Sequence, residues 1–233
     1  MTSTLQLIAM HGWCGDSRSW ECWQPLWQQR GWRWRCGERG YGDRPAHAPV
    51  WDEGDGLKLV LAHSLGPHLL AAEVLAAADA VVLMTSFGRF VPEGRGGRPL
   101  QAALAGMARE LAGPDPGALL QTFLQQVAAP DSGERLQPSP GREPLSASGR
   151  QRLQQDLERI VHSQGLPQGF PTGARVLLLQ AGRDQIVAPE TRRDLEQRLP
   201  QADVVHFAGA GHGLIGTPTM AMVTAWIEGL LQP

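Results

Sequence analysis

Short apolar runs recur along the chain, and the stretches between them place apolar residues at helical spacing. Residues 5–10 (LQLIAM) read as a buried strand, 32–36 as a second, 57–61 (LKLVL) as a third and 81–85 as a fourth. Residues 175–180 (RVLLLQ) and 202–207 supply a fifth and a sixth. Residues 17–30 are expected to form one helix, with Trp20, Trp23 and Trp27 on a single face packed against the sheet. Residues 67–78, rich in Ala and Leu, read as a second helix. Thr217-Pro218 opens a last one, with Pro at its first position and Val223, Trp226, Ile227 and Leu230 on its apolar face. Only about fourteen residues separate Asp43 from the third strand, too few for a full crossover helix, so a loop or single turn is expected there. Strands alternating with helices give an α/β fold with a mostly parallel sheet.

One region breaks the alternation. Between Gly88 and Thr172 no segment reads as a strand. Residues 100–111 and 119–127 are helical in pattern, and Ser148, with Gln151 three residues on, is expected to open another helix through a capping box. Leu153, Leu157, Ile160 and Val161 form its apolar face. Residues 128–146, dense in Pro, Gly, Ser and Arg, read as a loop or hinge. The expected organisation is a core of residues 1–87 and 173–233 with a helical cap, residues 88–172, inserted between two strands.

Length and composition fit this picture. At 233 residues, 42% hydrophobic and 19% charged, the chain suits one ordinary globular domain. A net charge of −2 argues against a general nucleic-acid surface. No apolar stretch approaches the roughly 18 residues that span a membrane, and Met1-Thr2-Ser3-Thr4 lacks the positive region of a secretory signal. Cys14, Cys22 and Cys36 resemble neither a disulfide framework nor a metal-ligand set. The expectation is a cytoplasmic monomer without metal or cofactor.

The chemistry-bearing pattern is Ala62-His63-Ser64-Leu65-Gly66, between the third strand and a small-residue segment. A small residue two before a serine and a glycine two after it allow a strand-to-helix turn tight enough to project the hydroxyl from the sheet top. Acyl transfer by such a serine needs a base, a carboxylate to orient it, and donors for the developing oxyanion. His212, in the small-residue loop Gly209-Ala210-Gly211-His212-Gly213 after the last strand, is the candidate base. Asp184, directly after the fifth strand, is the candidate acid. The backbone N–H of Leu65 and that of Trp13, in His11-Gly12-Trp13 after the first strand, are the candidate oxyanion donors. Each follows a strand, where parallel sheets place their ligands. Alone, each element has a plainer reading as a turn, a loop histidine or a helix cap; together and in this order they favour catalysis. His63 is expected to pack or shape the turn, and His206 to be structural. His68 is placed on the helix after the turn, and His47 and His162 in surface segments.

These motifs resemble the α/β-hydrolase superfamily over nearly the whole chain. Within it, His11-Gly12-Trp13, the spacing from Asp184 to His212, Thr85-Ser86-Phe87 and Thr122-Phe123-Leu124-Gln125 are most similar to the pimeloyl-[acyl-carrier protein] methyl ester esterases of biotin synthesis. The resemblance implies hydrolysis of a methyl ester on a carrier-bound acyl chain. It places Trp13 and Leu65 in the oxyanion hole and Phe123 along the acyl channel. It also implies cap arginines that meet an acidic carrier protein, and Arg135, Arg142, Arg150, Arg152 and Arg159 are of that kind. The alternatives are a general carboxylesterase or acyl thioesterase, a lyase-type relative such as the menaquinone-pathway synthase, or a ligand-binding receptor on the same fold. The chain departs from the pattern at Ala62 and Pro67, where relatives carry Gly, in its short link after Asp43, and in having no strand before Leu5.

Overall fold

The computed structural model describes residues 5–136 and 145–232. Strands β1 (Leu5–Met10), β2 (Arg33–Cys36), β3 (Leu57–His63), β4 (Ala80–Met84), β5 (Arg175–Ala181) and β6 (Asp203–Phe207) form one sheet in the order β2-β1-β3-β4-β5-β6. Every pairing is parallel. The inner strands carry unbroken apolar runs because both faces of the sheet are covered. In β3, Leu59 and Leu61 point to one face and Val60 and Ala62 to the other; in β4, Val82 and Met84 oppose Val81 and Leu83. The outer strands β2 and β6 contain no fully buried residue.

One face is covered by α1 (Gln24–Gln29) and α7 (Thr219–Leu230), which bring Trp27, Val223 and Ile227 onto Leu5, Leu59 and Leu177. The other is covered by α2 (Ala72–Ala76) and α6 (Pro189–Arg198), through Val74, Leu75 and Leu195. Helices α3 (Arg98–Ala112), α4 (Pro116–Ala128) and α5 (Ala147–His162) lie between β4 and β5 in the chain. They share an apolar cluster with Trp13, Tyr41, Leu65 and Phe87, residues that follow the strands. The chain passes from β1 outward to β2 and returns on the other side of β1 to β3. The loop after β1 and the turn after β3 therefore adjoin, at the place where parallel sheets form their crevice.

The structure corrects four expected elements. Residues 17–30 do not form one helix: a 3-10 turn, Ser17–Trp20, precedes α1. Pro25, which has no N–H to donate, sits in the first turn of α1, so the helix restarts around it. The three tryptophans are buried nonetheless, and Trp23 packs on both Trp20 and Trp27. Residues 67–78 are also divided, into the 3-10 turn Gly66–Leu69 and the short α2. Leu70 and Ala71 between them are extended, and Leu70 turns into the core; its burial outweighs helix propensity. Helix α5 is capped by Ser146, whose Oγ accepts from Gly149 N at 3.0 Å, and not by Ser148. Gly149 lies so close to the Tyr41 carbonyl that a Cβ has no room there, which fixes where the helix starts. Helix α7 begins at Thr219, with Pro218 at the capping position rather than inside the first turn. Residues 37–56 contain no helix, as their length implies.

A buried charge cluster joins α5 to the loop after β2. Asp156, wholly buried, accepts from Arg39 Nε at 2.7 Å, Arg39 Nη2 at 2.8 Å and Tyr41 Oη at 2.7 Å, and Arg159 Nε stands 3.2 Å away. Arg152 Nη1 donates to Gly40 O at 3.0 Å beside it. Burial, and then the Asp156 carboxylate, push the Tyr41 phenol well above its ordinary range, so it stays a donor. No helix among the described residues is long and apolar enough to cross a membrane. Asp156→Ala leaves Arg39 and Tyr41 without their acceptor, and we expect it to cost about 3–5 kcal/mol in urea unfolding. Tyr41→Phe, which removes one hydrogen bond, should cost about 1 kcal/mol in the same measurement.

Candidate active site

Ser64 directly follows β3 with φ at 55°, a left-handed backbone that a residue with a side chain rarely adopts. Three contacts hold it. Its N–H donates to Met84 O at 2.9 Å, its carbonyl accepts from Ser86 Oγ at 2.6 Å, and the next turn packs against the end of β1. A Cβ on Gly66 would stand 2.5 Å from Met10 O, and one on Gly12 would stand 2.8 Å from Ser64 Cβ and 3.3 Å from Ser64 Oγ. The loop after β1 can reach the serine only because position 12 is glycine. Ser64 makes no side-chain hydrogen bond among the described residues, and it lines the same cavity as His212.

His212 and Asp184 are brought together after β6 and β5. His212 Nδ1 lies 2.9 Å from Asp184 Oδ2, and both side chains are almost fully buried. Asp184 Oδ1 accepts from Ile186 N at 2.8 Å and Val187 N at 2.9 Å. Burial pushes this carboxyl up. The His212 ring, by charge and hydrogen bond, and the two backbone N–H groups outweigh that and leave it below the ordinary carboxylate value. Asp184 is thus an anion that orients Nδ1–H, leaving Nε2 as the free base position. Arg183 N donates to Ala210 O at 2.9 Å and ties the two loops together.

The His212 main chain is held from both sides. Its carbonyl accepts from Thr85 Oγ1 at 2.9 Å and from His63 Nε2 at 3.0 Å. From the cap, Val127 O accepts from Gly213 N at 2.9 Å. His63, expected to pack or shape the turn, is a donor whose ring centroid lies 5.0 Å from that of His212. Burial first, and the neighbouring His212 second, push it down to about 4, so it is neutral over the working range. Thr85 and Ser86 were legible only as a resemblance, because which carbonyls they reach depends on how strands distant in sequence are ordered.

The remaining candidates fall as follows. Leu65 is fully buried behind Ser64. Trp13 is clamped by the cap: its Nε1–H donates to Leu153 O at 2.8 Å, and its indole meets Phe123 edge-on at 4.8 Å. Behind the loop after β1, His11 Nδ1 contacts Gly12 O at 2.8 Å. Buried Glu38 accepts from Ser17 N at 2.9 Å and Gly40 N at 2.8 Å. Phe123 lines the cavity, which holds about 410 Å³ and is walled by Trp13, Trp20, Trp23, Leu124, Val127, Leu214 and Met220 among others.

The described cap arginines each meet a different group. Arg135 is exposed, borders the cavity and pairs with Asp131. Arg150 donates to Gly113 O, Arg152 to Gly40 O, and Arg159 pairs with Asp156. Arg142 lies outside the described residues. His68 donates to Phe87 O, and His206 lies near Glu196 on the exposed last strand.

A family model described as TAP-like protein matches residues 154–232, which contain Asp184 and His212 but not Ser64. No curated protein matches the chain. Among solved structures, an esterase from Exiguobacterium antarcticum superposes with a TM-score of 0.71 at 16% identity, over 100% of this chain and 94% of that one. The enol-lactonase of Burkholderia xenovorans LB400 gives 0.71 at 14% identity, over 99% and 92%. A bromoperoxidase from Bacillus anthracis gives 0.65 at 16% identity, over 99% and 93%. The fold is that of the α/β-hydrolases. At these identities and with neighbours of three different activities, the likeness fixes the fold and leaves the chemistry to be argued from the site.

Two measurements test this geometry. An unfolded histidine takes its proton near 6.5 and His63 in the folded chain only near 4, so the unfolded state binds more protons between those values. Stability is therefore lost as the pH falls from 6.5 toward 4. In a pH series of melting temperatures, His63→Gln should lose less than the wild type across that window. Trp13→Phe keeps the ring edge against Phe123 but loses the bond to Leu153 O, and should cost about 1 kcal/mol in denaturant unfolding.

Proposed function

We propose that this protein is a carboxylic-ester hydrolase that works through an acyl-enzyme. The observation that carries the reading is the convergence of Ser64, held in a strained left-handed turn, with the buried His212–Asp184 pair on one largely apolar cavity. Strain retained at such a turn fits a nucleophile held in place by its surroundings. Ser64 Oγ attacks the ester carbonyl, and His212 Nε2 takes its proton and returns it to the leaving alcohol. Asp184 orients the ring and stabilises the imidazolium. The N–H groups of Trp13 and Leu65 receive the oxyanion, and water then releases the acid by the same route in reverse.

The cavity supports an acyl chain of moderate length, flanked by Phe123 and enclosed by the cap. The finer substrate, the methyl ester of a pimeloyl chain on acyl-carrier protein, is supported by the resemblance of His11-Gly12-Trp13, Thr85-Ser86-Phe87 and the α4 sequence. In that reading Arg135 and Arg159, both exposed, offer cations to the acidic carrier. A second reading, a free small ester without a carrier, is favoured by Arg150 and Arg152, whose guanidinium groups donate to the chain's own carbonyls.

Ser64→Ala should abolish both ester turnover and labelling by a fluorophosphonate probe; labelling of the variant to wild-type extent rejects the assignment. Expression in a strain that lacks its own pimeloyl-carrier methyl esterase separates the two readings. Rescue supports the carrier substrate, and failure by well-expressed, fluorophosphonate-reactive protein supports the free ester.

A further inference from the structure

Beyond the triad, we propose that Thr85 and Ser86, the two residues that follow β4, are positioning residues whose hydroxyls set the separation of the nucleophile and the base. The inference rests on the esterase reading for its kinetic consequence and on geometry alone for its structural one. Neither hydroxyl faces a substrate group; each holds a main-chain carbonyl of one reacting residue. Ser86 Oγ donates to Ser64 O at 2.6 Å, and Thr85 Oγ1 donates to His212 O at 2.9 Å. Two adjacent residues thus grip two chain segments about 150 positions apart (212 against 64), through bonds that are both buried.

The backbone of Thr85 points the same way. Its φ is 44°, and a β-branched residue is rarely found in that region. Such a conformation is unfavourable by itself and persists where the surroundings over-determine it. Here Thr85 N–H donates to Leu179 O at 2.8 Å, which continues the β4–β5 ladder one residue past the strand. The ladder fixes the main chain, and the left-handed turn lets Thr85 and Ser86 reach different carbonyls. The pair is buried, at 1% and 4% exposure, so neither hydroxyl has water as an alternative partner. His63 adds a second donor to the His212 carbonyl from β3, and Gly213 N–H anchors the same loop to the cap. An acyl-transfer site is sensitive to displacements of about 1 Å, which can cost on the order of 100-fold in rate.

The test compares three variants of the full chain: Thr85→Val, which keeps the shape and loses the hydroxyl; Thr85→Ser, which keeps the hydroxyl; and Ser86→Ala. Thr85→Val and Ser86→Ala should each lower kcat on p-nitrophenyl esters about ten-fold or more with KM within about two-fold, and slow fluorophosphonate labelling in parallel. Thr85→Ser should stay within about three-fold of wild type. Amide hydrogen exchange gives a readout that needs no activity: Thr85→Val should lose protection at Gly213, and Thr85→Ser should keep it. Unchanged kcat and unchanged exchange in Thr85→Val overturn the proposal, as does Thr85→Ser behaving like Thr85→Val. A wild type that neither turns over esters nor takes the label overturns the esterase reading instead, and exchange at Gly213 then decides the positioning role.

Discussion

The structure depends on one close approach: the backbone after β1 lies against the backbone after β3. Parallel neighbours bring two strand ends to the same edge of a sheet, but side chains normally keep the connecting loops apart. Gly12 and Gly66 remove that separation on both sides, one against Ser64 and the other against Met10 O. The left-handed Ser64 then fits into the space, and Trp13 comes with it. Any side chain at position 12 collides with the candidate nucleophile itself, so the loop after β1 and the serine cannot be varied independently. The register β1–β3, with Met10 opposite Ala62, decides which residues meet.

The cap shares this constraint. Its helices do not close over a finished site, because their apolar cluster includes Trp13, Cys14, Tyr41 and Leu65 from the core loops. Trp13 is the common element: it lines the cavity, and its indole is held by Leu153 O and Phe123. Folding of the cap and ordering of the oxyanion loop are thus parts of one packing event. The Asp156 cluster works in the same direction. Burying a carboxylate is unfavourable unless its lone pairs are filled, and Arg39 and Tyr41 fill them from the loop after β2, so α5 can dock in only one place on the core.

What the sequence made legible follows from how local the signal is. Strands buried on both faces appear as runs such as Leu59 to Ala62, and all six were readable. That Ser64, Asp184 and His212 would lie at the same edge of the sheet was readable because each shortly follows a strand. The helix over 17–30 was not read correctly, since the tryptophan spacing fits both a continuous helix and two short pieces divided before Pro25. The segment over 67–78 failed because Leu70 is drawn into the core by neighbours remote in sequence. The hydrogen bonds of His63, Thr85 and Ser86 to distant carbonyls could not be read from spacing for a related reason: a hydroxyl or imidazole that serves a distant carbonyl has no spacing rule. The arginines show the limit of charge reading. Arg150, Arg152 and Arg159 look alike in sequence, yet each meets a different group of the folded chain.

Specificity divides between core and cap in a way that the chain order conceals. The cap supplies Phe123, Leu124 and Val127 to the cavity, but Trp20 and Trp23 come from the segment after β1, and Thr219 and Met220 from the start of α7. Trp20, Trp23 and Met220 belong to the same apolar cluster that covers this face of the sheet. The α4 wall rests on the His212 loop through Gly213 N–H and Val127 O. A substrate that displaces α4 therefore also displaces the base. If the proposed esterase reading holds, the length of acyl chain accepted is coupled to the alignment of His212, and substitution in α4 is expected to alter turnover as well as binding.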